Sequence, residues 1–336
     1  MILTWLLMAS MFSGCGLSES GNKQSTDEWR AKEFDRDVSL EVNDSIVLGD
    51  VFKRPEWKLC ENALCVLDPF RTTGLVRLYD IRTGVLVDSA FVMGNGPGEY
   101  ITINDGEAKR PDNLLLYDIM GKTLNIVDFN LESGINVVDS YPLFSDSEGR
   151  VYPYTYISQV SDSIFLLKSD DVDDTSWHIA DIKEGKILKK ERNKTRPDGE
   201  GYPPYYFMQT MVGDNTLGVA YKYINRMEIY RIENSGLHLL QAYGSPDYIQ
   251  PEDSEDRKIH ALSLTDDDTA FYLLVGDGSD IESNIVECYH AKSGEVGNRY
   301  ILDRKISAIG FNSEGCLVGI SMEEDCTKFY IWKLGF

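Results

Sequence analysis

Residues able to act as acids, bases or nucleophiles are scattered along this chain. His178, His238, His260 and His290 include no H-E-x-x-H pair, and no serine lies in a G-x-S-x-G elbow. The 55 acidic residues show no spacing that singles out a carboxylate pair for glycoside cleavage. The sequence therefore predicts no catalytic residue, and it favours binding over catalysis.

Two acidic runs suggest calcium, at 170–174 (DDVDD) and 266–268 (DDD). Neither has the twelve-residue EF-hand pattern with a central glycine and a terminal glutamate. Aspartate also favours tight turns, because its carboxylate accepts hydrogen bonds from nearby backbone amides. We expect both runs to be hairpin turns, with no bound metal and no cofactor.

A glycine-rich loop is the first candidate binding segment. Residues 94–100 read GNGPGEY. Glycine allows backbone angles that other residues avoid, and proline stiffens the loop. Such a segment is either a connector between two strands or a ligand mouth formed by Gly96, Gly98, Glu99 and Tyr100. In both interpretations Glu99 is placed to cap backbone amides. The P-loop pattern G-x-x-x-x-G-K-[ST] is absent, so we expect no nucleotide here.

A tyrosine- and proline-rich stretch is the second candidate. Residues 201–207 read GYPPYYF. Tyrosine rings suit sugar faces or a protein partner, because each combines an apolar ring with a hydroxyl. Tyr202, Tyr205 and Tyr206 either recognise a ligand or are buried in the fold.

Cysteines point to an exported chain without thiol chemistry. Cys60 and Cys65 flank one short turn, and Cys316 and Cys326 flank another, so each pair is a candidate disulfide in an oxidising compartment. Cys288 lies in an apolar strand and is expected to be a buried thiol. No C-x-x-C pair supports redox chemistry or zinc.

The N-terminus has the pattern of an export signal. Residues 1–12 (MILTWLLMASMF) are apolar but too short to span a membrane, and 12–15 (FSGC) resembles the bacterial lipobox. That resemblance implies a signal peptide and lipobox over 1–15, with Cys15 as the lipidated residue. The alternative is an ordinary secretory signal with a chance cysteine. Residues 16–37 are mostly polar and read as a tether.

The net charge restricts the partners. The formal charge is −22 and the pI is about 4.5. A surface this negative repels phosphate backbones, so we expect no nucleic acid. The same charge opposes adsorption to anionic lipid, so a covalent anchor is the expected link to the membrane.

A recurrent hairpin organises the rest of the chain. Short apolar runs bounded by Gly, Asp, Asn and Ser predict β-strands throughout, and repetition indicates a closed array. We expect an all-β, six-bladed β-propeller in which each repeat joins the third and fourth strands of a blade. The repeats lie at 79–85, 117–122, 180–186, 230–236, 289–295 and 330–336.

The last repeat leaves its blade without a fourth strand, because the sequence ends there. Residues 38–51 (VSLEVNDSIVLGDV) look like strand and precede the first blade. We predict that they supply the missing outer strand and close the ring, which removes an exposed sheet edge. The propeller would then occupy 38–336, as a monomer.

The segment 92–100 (VMGNGPGEY), directly after a YD…TG hairpin, resembles the six-bladed β-propeller lipoproteins of Bacteroidota, the TolB-like group. The resemblance implies the propeller fold and a location in the cell envelope, at the outer membrane and facing the periplasm or the surface. It implies no catalytic residue.

We therefore expect a lipid-anchored envelope propeller that binds a ligand or a protein on the face carrying the connectors between blades. A glycan or an envelope protein is the expected partner. The alternative is a glycan lyase or hydrolase on the same face. Converging His, Arg, Tyr and carboxylate groups with shifted pKa values would favour the enzyme, and an aromatic rim would favour binding.

Overall fold

Six β-sheets arranged around an axis make up the protein. The computed structural model describes residues 29–52, 55–145, 151–169, 176–192, 208–245, 258–276, 278, 280–323 and 325–335. Each sheet contains four strands in meander order, and two sheets carry a fifth. The predicted all-β, six-bladed propeller is confirmed.

Three short strands come first along the chain: β1 (Trp29–Arg30), β2 (Asp37–Leu40) and β3 (Asp44–Leu48). Strands of a blade are called A to D from the axis outward. Blades 1 to 3 comprise β4 (Glu56–Cys60), β5 (Ala63–Leu67), β6 (Thr73–Asp80) and β7 (Val85–Val92); β8 (Asn104–Gly106), β9 (Asn113–Asp118), β10 (Thr123–Asn130) and β11 (Gly134–Pro142); and β12 (Tyr154–Gln159), β13 (Ile164–Ser169), β14 (Ser176–Asp181) and β15 (Lys186–Arg192).

Blades 4 to 6 complete the ring. They comprise β16 (Met208–Gly213), β17 (Thr216–Tyr221), β18 (Arg226–Glu233) and β19 (Gly236–Gly244); β20 (Ser263–Asp266), β21 (Ala270–Val275), β22 (Ser283–His290) and β23 (Val296–Ile306); and β24 (Ala308–Phe311), β25 (Leu317–Met322) and β26 (Thr327–Trp332).

The B strands explain why the sequence shows continuous apolar runs. Every residue of β5 and β9 is buried, because each blade packs on both faces against its neighbours. Six apolar clusters fill the six seams between blades. Much of the outer strand β7, by contrast, is solvent-exposed. The hydrophobic core is therefore divided among the seams between blades, and the A strands line the axis.

The ring closes as predicted. β3 pairs antiparallel with β26, with Ile46 opposite Phe329, and so becomes the D strand of blade 6. Asn43 strengthens the junction: its amide donates to the carbonyl of Ile331, and its side-chain Oδ1 accepts from the amide of Lys333 at 2.6 Å. Front and end of the chain thus share one sheet.

The segment before β3 departs from expectation. Residues 38–40 were expected in the last blade, but β2 adds a parallel fifth strand to blade 5, and β1 does the same for blade 4. The predicted tether over 16–37 is therefore docked from residue 29 onward. Lys32 forms an ion pair with Glu287 at 2.9 Å, and Arg299 forms a bidentate ion pair with Asp37. An open sheet edge offers unpaired backbone groups, which explains the docking.

One predicted repeat was assigned to the wrong strands. Residues 117–122 join β9 and β10, the B and C strands of blade 2, whereas the other repeats follow C strands. The true C–D turn of blade 2 lies at 131–133, where Asn130 accepts hydrogen bonds from the amides of Glu132 and Ser133. Both turns carry an aspartate or asparagine and a glycine, so composition did not separate them.

The predicted disulfides are wrong for this structure, in which all four cysteines are free thiols. Cys60 lies opposite Ala63 and Cys65 opposite Lys58, so the two cysteines are diagonal neighbours on their strand pair. Cys316 and Cys326 precede β25 and β26, which places them at opposite ends of that hairpin. Neither arrangement matches the direct Cβ approach that a disulfide requires.

No helix within the described ranges is long and apolar enough to cross a membrane.

Candidate functional site

The glycine-rich loop forms a compact, self-closed connector from β7 to β8. The carboxylate of Glu99 accepts the amide of Gly96 at 2.8 Å, so the predicted capping is present. A Cβ at Gly94 would lie 2.0 Å from Glu99 Oε2, and one at Gly96 would lie 3.0 Å from it. A side chain at Gly94 would displace the folded-over glutamate, and one at Gly96 would crowd it. The loop is absent from the residues that line the central cavity.

Tyr100 is a core residue. It is buried in the seam between blades 1 and 2, packs edge-on against Phe91, and accepts a 2.8 Å hydrogen bond from Asn125 Nδ2 on its hydroxyl. The structure therefore favours the connector interpretation of Gly96, Gly98, Glu99 and Tyr100. Tyr202, Tyr205 and Tyr206 lie outside the described residues, as does the acidic run at 170–174.

The second acidic run is a turn, as expected. Residues 266–268 connect β20 to β21, and Asp267 Oδ1 accepts the amides of Thr269 and Ala270. Asp266 Oδ2 accepts the amide of Asp268 at 3.1 Å. Asp266 also lines the cavity at the propeller axis, so this turn contributes to the candidate site.

The axis contains a polar channel of about 630 Å³. Its walls come from the A strands of all six blades and from the turns that follow some of them. Neighbouring A strands run parallel at Leu59 and Asn312, and again at Glu107 and Ser158, so residues at equal depth face one another. Among the lining residues, the groups considered below are Glu56, Lys58, Asp105, Glu107, Tyr156 and Asp266.

Four carboxylates from three blades converge in this channel. Glu56 begins β4, Asp105 is the second residue of β8, and Glu107 follows the end of β8. Asp266 ends β20 in blade 5. The charge of Glu107 contributes to raising the pKa of each of the other three.

One lysine partly balances this charge. Lys58 Nζ lies 3.7 Å from Glu107 Oε2 and donates a 3.2 Å hydrogen bond to the carbonyl of Ala108. Glu56 and Lys58 share one face of β4, because alternate residues of a strand point the same way. The seam between blades 1 and 2 thus holds an ammonium among carboxylates.

The other carboxyl groups resist ionisation. Surrounding protein, reinforced by the charge of Glu107, raises the pKa of Glu56 to about 7. Because more than a third of Glu56 is exposed to water, solvent screening weakens this shift. Burial raises the pKa of Asp266 to about 8, partly offset by the amide of Asp268. The pKa of Asp105 is raised well above its usual range by burial and then by Glu107 and Glu56. The channel therefore holds exchangeable protons near neutral pH.

One carboxylate oxygen at the channel is buried without a partner. Asp105 Oδ1 is sealed from solvent and accepts no hydrogen bond. The hydroxyl of Tyr156 is also sealed and makes no well-aligned hydrogen bond, with Ser158 and the amide of Val212 as its near neighbours. Tyr156 packs edge-on against Trp177 in the seam between blades 3 and 4. An unpaired buried acceptor destabilises a fold, so a donor supplied by a ligand would be favourable at Asp105.

The histidines take no part in this site. His178 is fully buried in blade 3, where burial lowers its pKa to about 4 and its ring lies edge-on to Tyr152. Among the described lining residues of the channel there is neither a histidine nor an arginine. The site is thus built of carboxylates, the ion pair between Lys58 and Glu107, and a tyrosine.

Sequence reasoning missed this site. The available signal was local: Glu56 and Lys58 alternate in β4, as do Asp105 and Glu107 around β8, in strands that begin a blade. Charged residues in alternation normally indicate the solvent side of a strand. Only the ring arrangement shows that this side is an enclosed axis.

Comparisons with solved structures agree with the fold. A putative exported protein from Bacteroides fragilis is 12% identical, with a TM-score of 0.55 over 89% of this chain and 100% of that one. A member of the DUF4221 family from Bacteroides vulgatus is also 12% identical, with a TM-score of 0.55 over 88% and 97%. The β-propeller domain of Myceliophteria thermophila Cps50 (Swd1) gives 11% and 0.51 over 87% and 100%.

At these identities the likeness shows the propeller fold alone. No protein-family model matches the chain, and no curated protein matches it.

Proposed function

We propose that this protein is an exported, lipid-anchored propeller that binds a small ligand in its central channel. The carrying observation is the convergence of Glu56, Asp105, Glu107 and Asp266, from three blades, on one cavity of about 630 Å³. That volume is typical of small-molecule sites. The unpaired Asp105 Oδ1 supports a bound group that donates a hydrogen bond.

The channel replaces the connector face in this proposal. Tyr100 is buried and bonded to Asn125, and one carboxylate oxygen of Glu99 caps the amide of Gly96, so these residues serve the fold of the connector. An envelope protein as partner stays a proposal from the sequence, because Tyr202, Tyr205 and Tyr206 lie outside the described residues.

Export and anchoring are supported by the N-terminal apolar run and the FSGC segment. The two Bacteroides neighbours share the fold, and one of them is described as a putative exported protein. Replacing Cys15 with Ser should release the protein from the membrane fraction and abolish labelling by a palmitate analogue. Unchanged fractionation of the variant would overturn the anchor.

Ligand binding is tested with the low-mass fraction of an envelope extract. This fraction should raise the melting temperature of the wild-type protein and of Glu132→Gln, an exposed-turn control. It should leave the double variant Asp105→Asn/Asp266→Asn unshifted. Equal shifts in all three proteins, or no shift in any of them, would overturn a channel site.

A glycan-active enzyme is the second candidate, because the carboxyl groups have shifted pKa values. A pKa of about 7 lets Glu56 hold and release a proton at neutral pH, as a general acid must. Against it, neither His nor Arg joins the cluster within the described residues. Turnover of aryl glycosides that disappears in Glu56→Gln would establish the enzyme; no turnover by the wild type on a broad panel would remove it.

A further inference from the structure

The channel carries more negative groups than its own cations can pair. Lys58 is engaged by Glu107 and by the carbonyl of Ala108. Lys109, the other lining lysine, donates to the carbonyl of Val160 at 3.5 Å. Across the described ranges, Glu56, Asp105 and Asp266 form no ion pair.

A carboxylate oxygen without a hydrogen-bond donor adds to this excess of negative groups over cations. Asp105 Oδ1 is sealed among protein atoms and meets no donor. The hydroxyl of Tyr156, on blade 3, is close enough to Glu107 and Asp266 for their charges to raise its pKa. A ligand that donates hydrogen bonds and carries positive charge would satisfy both kinds of group.

The spacing of the carboxylates argues against a metal ion. Within the described part of the chain, one group of three acidic or thiol ligands lies within 4.8 Å, and it is Glu323, Asp325 and Cys326 on an exposed turn. The channel carboxylates form no such set. Calcium needs six to eight oxygens at about 2.3–2.6 Å, which this separation does not supply. A larger cation can bridge separated carboxylates.

Lys58 shows how such a cation is held. Its ammonium lies beside one carboxylate and donates to one backbone carbonyl in the seam between blades 1 and 2. A ligand ammonium can be held in the same way by carboxylate and hydroxyl oxygens, since it offers three donors and a single charge.

We infer that the channel binds a small organic cation, with an ammonium or guanidinium group held by Asp105, Glu56 and Asp266. This inference rests on the proposed ligand-binding function and names its ligand class. The excess of carboxylates favours two cationic groups on one molecule, one near blades 1 and 2 and one near blade 5.

Binding then displaces protons. The groups facing the cation are Glu56 and Lys58 on β4, Asp105 and Glu107 on and after β8, Tyr156 on β12, and Asp266, Asp267 and Asp268 at the end of β20. Because their raised pKa values keep Glu56 and Asp266 partly protonated near pH 7, a cation binds as those protons leave. Affinity should rise between pH 6 and pH 8, by up to about tenfold per pH unit for each proton released.

The test is titration of the whole mature protein with putrescine and agmatine by calorimetry, with butane-1,4-diol as the neutral analogue and Ca²⁺ as the metal probe. We expect both amines to bind with proton release and the diol to show no binding. Asp105→Asn and Asp266→Asn should each weaken amine binding by roughly 10- to 100-fold, as expected for loss of a charged hydrogen bond. Glu132→Gln should bind like the wild type.

Three outcomes would overturn the inference: amines that bind no better than the diol, Ca²⁺ that binds in their place, or an affinity unchanged by both aspartate variants. The extract experiment distinguishes a failure of the cation inference from a failure of the proposed ligand-binding function. If the extract still stabilises the wild type and not the double variant, the channel binds a ligand of another class. If it does not, the ligand-binding function fails as well.

Discussion

Acidic groups in blade 4 and in the central channel differ in how the surrounding protein satisfies them. Glu228 is fully buried and receives a 2.7 Å bond from Arg226 Nε and hydrogen bonds from the hydroxyls of Tyr221 and Tyr230. Arg226 also donates to the carbonyl of Ser245. In the channel, Asp105 Oδ1 has no donor at all.

The difference distinguishes a satisfied polar network from one with unpaired groups. A buried charge with its partners in place is compatible with a stable fold, whereas an unpaired one destabilises it unless it stays protonated. The Arg226–Glu228 network is therefore complete within the protein, while the channel offers groups that the proposed ligand would pair. Predictions that remove one partner from each region test this contrast.

The largest effect is expected in blade 4. Arg226→Ala leaves Glu228 buried beside two tyrosines without its cation, and breaking a buried pair in this way costs about 3–5 kcal/mol of unfolding free energy. Urea denaturation of the variant measures the loss. A loss below about 1 kcal/mol would show that this network is not the structural one.

The next effect is a pH dependence that comes from the channel. Glu56, Asp105 and Asp266 have pKa values raised on folding, so the folded protein retains protons that the unfolded chain has released. Stability must then fall as pH rises through this window, by about 1.4 kcal/mol per pH unit for each retained proton as an upper limit.

The measurement is the unfolding free energy between pH 6.5 and 8. His178 contributes with the opposite sign, because its pKa is about 4 in the fold and near 6.5 in the unfolded chain; comparison with a channel variant that keeps His178 cancels this contribution. The triple variant Glu56→Gln/Asp105→Asn/Asp266→Asn should flatten the slope and be the more stable protein at pH 8. An equal slope in wild type and variant would contradict the assignment of raised pKa values to these groups.

A matched pair of tyrosines gives a smaller effect. Tyr100→Phe leaves Asn125 Nδ2 without the hydroxyl that accepts its hydrogen bond, which should cost about 1 kcal/mol. Tyr156→Phe removes a hydroxyl that makes no well-aligned hydrogen bond, so its loss should be clearly smaller than that of Tyr100→Phe. Chemical denaturation measures the free energy of unfolding of both variants. An equal loss in both would contradict the difference between hydrogen-bonded and unsatisfied hydroxyls.

Blade architecture was accessible from sequence because it depends on local patterns. Buried B strands such as β5 and β9 need apolar residues on both faces, and turns need Asp, Asn or Gly, so both leave a signal in sequence. The second repeat shows the limit. The turns at 117–122 and 131–133 have similar composition, and only strand pairing tells which one ends a C strand.

Ring closure could be predicted by counting strands: the last repeat supplies three strands of its blade, so the fourth had to come from elsewhere in the chain. The docking of β1 and β2 could not, because each parallel fifth strand depends on an open edge far away in the sequence, about 210 residues for β1 and about 260 for β2. The same holds for Cys316 and Cys326, whose separation follows from the hairpin register alone.

By itself, the sequence determined the all-β class, the six repeats, the closing strand and the strongly negative charge, since each follows from composition or periodicity. Only the tertiary structure decided that Glu56, Asp105, Glu107 and Asp266 share one cavity. These residues lie up to about 210 positions apart, and a ring brings its inner strands together whatever their separation along the chain. Their shifted pKa values arise from that proximity and burial, which no local pattern encodes.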